Sequence, residues 1–180
     1  MHIQQIILAI INVVGGILVI SSYVQGIKAN PQNSGDAWGG VPKTIKPVYI
    51  ASMLLAAAGY FAFTYFVLFE LEPDKVEIAD FFDFRIFHVI YALILIPSAI
   101  WMPLTFAMLG NPRRSLWWAI RITLAVVGLA SLSLLAALVL SSPKDSTFVY
   151  WLSIAGIVAF CVQTALLDAL IWPAYFPVKR

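Results

Sequence analysis

Five long apolar runs constrain this chain more than any other feature. They cover residues 3–27, 47–71, 85–109, 115–140 and 147–172. A helix needs about 20 largely apolar residues to cross some 30 Å of hydrocarbon, and each run meets that length. Membrane-barrel strands are about ten residues long and alternate in polarity, so these unbroken runs exclude them. Backbone polar groups in lipid must be satisfied within the segment or in a closed barrel. The runs therefore imply an all-α membrane protein, a bundle of five transmembrane helices forming a single domain over 1–180.

Composition agrees. Of 180 residues, 62% are hydrophobic and 11% charged, against roughly 45–50% and about 25% in soluble domains. Those proportions exclude a disordered chain, a nucleic-acid binder and an ordinary cytosolic enzyme. The lone cysteine, Cys161, excludes a disulfide scaffold. The first run lacks a basic leader and exceeds the 7–15 residues of a signal-peptide core. It reads as a retained span.

The charges sort by loop. Lys28, Lys43, Lys46, Arg113, Arg114, Lys179 and Arg180 fall on one side, and only Lys75, Arg85 and Lys144 on the other. Basic residues favour the cytoplasm, which predicts the N-terminus outside and the C-terminus cytoplasmic. The expected location is multi-pass in a bacterial inner membrane, with membrane lipids as its surroundings. The long loop 28–46 is rich in Gly, Pro, Asn and Lys, and loops of that length are commonly functional or mobile. The later loops are short, so helices 3, 4 and 5 should be antiparallel neighbours. Loop 70–85 mixes acids with aromatics from Val76 to Phe84. It reads as an interfacial segment with rings in and carboxylates out, a cation site being the alternative.

Small residues mark close helix approaches in lipid: Gly15 and Gly16, Ser52, Ala56 through Gly59, Ala155 and Ala159. Trp117, Trp118, Tyr150, Trp151, Trp172 and Tyr175 sit near span ends, where such rings anchor helices at the interface. Trp101 is different. It lies within the third span, between Pro97 and Pro103.

Two charges, Arg121 and Asp168, lie within spans at similar depth below the same surface. Such groups normally find partners, so a structural ion pair between helices 4 and 5 is expected. The competing reading has Arg121 snorkelling alone to the headgroups. No metal motif, nucleophile motif or intramembrane carboxylate pair is present, so no catalytic or metal-ligating residue is assigned. His88 could at most be considered as an axial haem ligand.

The segment from Pro97 to Phe106 resembles the third-helix motif of the tryptophan-rich sensory protein/translocator protein family (TspO/MBR, peripheral-type benzodiazepine receptor). Trp101, Pro103 and Phe106 match that motif, and Ser98 stands where the family has Asn. Pro42 and Pro47 repeat its pair of prolines before helix 2, and Phe160 with Asp168 keeps the spacing of its helix-5 aromatic and Asn. Span count, chain length and the long first loop agree. Ile50 and Leu54 depart from it, standing where the family usually has Trp and Tyr.

The resemblance implies an intrabundle pocket closed by loop 1 that binds porphyrin, haem or a sterol-like molecule, often in a homodimer, with no required cofactor. Tyr49, Trp101, Phe106 and Phe160 would supply stacking faces, and Ser98 and Gln163 hydrogen bonds. Trp38 and Lys43 would form the lid. Ordinary helix packing is the competing reading of the same rings. Sensing or transport without catalysis is the expected function. The alternatives are an accessory subunit of a larger membrane complex and a lipid- or sterol-modifying enzyme.

Overall fold

A computed structural model describes residues 2–31, 35–143 and 147–176. Lys144, Asp145, Lys179 and Arg180, counted in the charge pattern, lie outside the described residues.

Five helices are long and apolar enough to cross a membrane. Helix α1 spans Ile3–Ala29 and α2 starts at Lys46 with Pro47 in its first turn. Proline suits that place because its missing N–H has no intrahelical role there. Helix α2 runs through Tyr65 and ends in a π-helical turn, Phe66–Glu70. Helix α3 is Arg85–Gly110 and α4 is Arg114–Leu140. Helix α5 starts at Phe148, with the Thr147 hydroxyl capping Tyr150 N–H. From Val162 to Ile171 it widens into a 10-residue π-helix, then closes with one α-turn, Trp172–Tyr175. The apolar runs locate all five helices to within about three residues.

The helices form a ring in the order α1, α3, α4, α5, α2. The short loops make α3–α4 and α4–α5 neighbours, as expected. Helix α1 packs chiefly on α3 and α2 chiefly on α5. Side-chain hydrogen bonds cross the α1–α2 seam: the Tyr60 hydroxyl donates to Asn12 Oδ1 at 2.6 Å, and Gln5 Nε2 to the Leu71 carbonyl at 3.3 Å. Glycines allow the tightest crossings. Gly59 meets Gly156, Gly15 lies under Leu95, and Gly26 under Met102 and Phe106.

Two apolar cores divide the bundle. The larger, at the loop-2 end, gathers Phe63, Phe87, Tyr91, Leu134 and Ile157. There Glu77–Ile78 (β1) pairs antiparallel with Ser141–Ser142 (β2) at the end of α4. Val76, Ile78 and Phe84 are buried, whereas Phe81 is 88% exposed. The acidic-aromatic segment is thus a pinned turn, with the Phe81 and Phe82 rings projecting outward. The second core, at the loop-1 end, contains Tyr49, Ile120, Leu124, Leu167, Trp172 and Phe176.

Candidate functional site: an aromatic and carboxyl cluster at the loop-1 end

The π-helical stretch of α5 sets the site's geometry. In an α-helix, residues five apart point about 140° away from each other. A π-helix bonds i to i+5 and stacks such residues. Gln163 and Asp168 are five apart, and Gln163 Nε2 donates to Asp168 Oδ1 at 2.8 Å. The other amide atom, Gln163 Oε1, is buried with no hydrogen-bond partner in the protein. Gln163 as a whole is only 6% exposed. A buried polar atom in that state costs about 1–3 kcal/mol.

Aromatic rings from the other helices surround this end. The Asp168 carboxyl lies within electrostatic reach of the Tyr23 and Tyr49 hydroxyls. Tyr49 donates to the Leu167 carbonyl at 3.0 Å, next to Asp168 in the chain. Trp101 contacts Tyr23 of α1 and Trp172 of α5, both at ring separations of 5.8 Å. Its indole Nε1 is also buried without a partner. This end therefore holds an orphan donor, an orphan acceptor and a carboxyl among rings.

Loop 1 lies across the same end. A short 3-10 turn, Asp36–Trp38, leads to Gly39 at φ +61°, a conformation that glycine adopts without strain. The Trp172 indole donates to the Ala37 carbonyl at 3.2 Å, and Gly40 N–H donates to the Tyr175 carbonyl at 2.9 Å. Trp38 meets Tyr49 edge to face at 6.2 Å, with Lys46 Nζ 5.5 Å from the Trp38 ring centre.

Of the residues singled out from the sequence, Trp38, Tyr49 and Trp101 pack in or against the loop-1 core. Gln163 is joined to Asp168. The others sit elsewhere. Phe160 packs on Tyr60 and Phe63 against the loop-2 core. Phe106 lies against Gly26 of α1. Ser98 donates to the Ile94 carbonyl of its own helix at 2.6 Å, a common use of hydroxyls in membrane helices. Lys43 is exposed, and Lys46 is the loop lysine that meets Trp38.

The expected ion pair is not formed. Arg121 is exposed, its guanidinium 5.9 Å from the Trp118 ring centre, and no Lys, Arg or His bridges to Asp168 among the described residues. The reason is rotational. Ile120 and Leu124 form the buried face at the start of α4, which turns Arg121 outward, while the π-helix turns Asp168 toward Gln163. Depth alone matched the two residues. Azimuth separates them.

Tyr23 and Trp172 belong to the cluster although the sequence did not single them out for it. Trp172 fits the pattern of an interface anchor, yet it is buried and its N–H is used by loop 1. Tyr150 is likewise buried, whereas Trp118 and Trp151 are exposed. Neither histidine approaches the cluster. His88 Nε2 bonds the Gln4 carbonyl, and His2 caps α1 at the opposite end. Among the described residues, no group of three His, Cys, Asp or Glu side chains could hold a metal ion. No family model matches the chain, and neither a curated protein nor a solved structure matches it.

Proposed function

We propose that this is a non-enzymatic membrane protein that binds a hydrophobic or amphipathic small molecule within the bundle, at the loop-1 end. One observation carries the reading. Trp101 Nε1 and Gln163 Oε1 are both buried and unpaired, at an end where rings from four helices and loop 1 gather. Ligand sites of this kind are largely aromatic, with a few polar groups that fix orientation. An orphan donor and an orphan acceptor are groups that a ligand could satisfy.

The resemblance to the translocator protein family supports the same reading and makes porphyrins and sterols the first ligands to test. The basic loops favour loop 1 facing the cytoplasm, which would open the site toward that side. Sensing or transport would follow from binding.

The test is a titration of detergent-purified protein with protoporphyrin or a sterol, followed by quenching of tryptophan emission. Saturable binding that is lost in Trp101→Ala and retained in Trp151→Ala is expected. Failure of both classes to bind saturably would refute this choice of ligands.

A further inference from the structure

Resting on that intrabundle reading, we infer that the ligand carries a positively charged head group, an organic ammonium, held by Asp168 among the surrounding rings. Three observations point to it.

The first is the missing counter-charge. A charge within a membrane bundle normally pairs with another or marks a pathway. Asp168 has Gln163 as its hydrogen-bond partner, and no cationic side chain bridges to it among the described residues. Arg121 lies on the outer face beside Trp118, and Lys46 over Trp38.

The second is the shape of the surroundings. Tyr23, Tyr49, Trp101 and Trp172 come from α1, α2, α3 and α5. The face of such a ring carries negative potential and attracts a cation, and groups of such rings recognise organic ammonium ions. A carboxyl at an end where such rings gather favours a cation over an anion of the same size.

The third is the orphan acceptor. Gln163 Oε1 is buried and unpaired, on the side chain that already holds Asp168. An ammonium N–H could donate to both oxygens. A carboxylate head could donate to neither, and would bring a like charge to Asp168.

The experiment uses three probes with one ring system: pyrenemethylamine, pyrenemethanol and pyrenecarboxylate. Each is titrated into the full-length protein in a nonionic detergent at neutral pH, and energy transfer from tryptophan to pyrene is recorded against protein-free micelles. The amine should bind at least about tenfold more tightly than the carboxylate, with the alcohol between them. Asp168→Asn should reduce that preference to about threefold or less, and Asp168→Glu should retain it. Equal binding of amine and carboxylate by the unaltered protein would overturn the inference, whatever the variants do. So would an undiminished preference in a folded Asp168→Asn protein. Saturable porphyrin binding without an amine preference would overturn the charged head group and leave the intrabundle site standing. Failure of all three probes together with porphyrin and sterol would remove the site itself.

Discussion

Gly59 and Gly156 touch backbone to backbone where α2 crosses α5. A Cβ on Gly156 would lie 2.8 Å from both the Cα and the carbonyl oxygen of Gly59. Backbone cannot swing aside as a flexible side chain can, so the crossing depends on both residues lacking a side chain. Gly156→Ala should cost about 1–3 kcal/mol, the usual range for forced overpacking. Gly16, with nothing within 4 Å of its added Cβ, should tolerate alanine. Unfolding in detergent mixtures, monitored by circular dichroism, compares them. Equal stability of the two variants would contradict the crossing.

Arg121 and Asp168 should behave independently. Arg121→Ala removes an exposed group over Trp118, whereas Asp168→Ala removes the acceptor of the Gln163 amide. The second variant should be the less stable. Residues without a shared partner add to within about 0.5 kcal/mol, so the double variant should equal the sum. A coupling above about 1 kcal/mol would restore the ion pair that depth in the membrane suggests.

Trp172→Phe should keep most of the ring packing and lose the bond to the Ala37 carbonyl. A hydrogen bond of this kind contributes about 0.5–1.5 kcal/mol. Loop 1 should then open more often, seen as faster protease cleavage after Lys43. Trp151→Phe, on an exposed face, should cleave at the original rate.

Tyr60→Phe tests the seam between α1 and α2. The lost bond to Asn12 is 2.6 Å long, and interhelical bonds in membrane bundles average about 0.6 kcal/mol, reaching about 1.7. Destabilisation in that range is expected, with Asn12→Leu showing a similar loss.

Orientation is open to direct measurement. A cysteine replacing the exposed Lys43 should react with an impermeant maleimide only after cells are opened. One replacing Phe81 should react in intact cells. The reverse pattern would invert the topology read from the basic residues. Cys161 is buried and should give little background.

The fold was largely legible in the sequence because lipid leaves few alternatives. An apolar run of sufficient length fixes a helix, and a short loop fixes its neighbour. The site was legible only in part. Trp101 stood out because it lies where anchoring rings do not belong, and Gln163 only as a hydrogen-bonding group of the pocket that the family resemblance implies. What failed was direction around the helix axis. Arg121 and Asp168 share a depth, but α5 leaves α-geometry at Val162, and every later side chain is turned from where a 3.6-residue repeat puts it. Trp172 was obscured for a related reason: a ring near a span end is usually an anchor, and only the path of loop 1 reveals another use. Phe160 shows the converse, its motif spacing kept and its contacts at the other core.

The ring order sets a sequence of events during synthesis. Helix α1 leaves the ribosome before its main partner, α3. Helix α2 leaves before its main partner, α5, with α3 and α4 made in between. In a bilayer, α1 and α2 would each have to wait as a separately stable span, which is how membrane helices can exist before they associate. Closure of the ring depends on α5 bringing Gly156 to Gly59. A chain halted before α5 would carry four inserted helices and leave α2 without the surface it was shaped to meet.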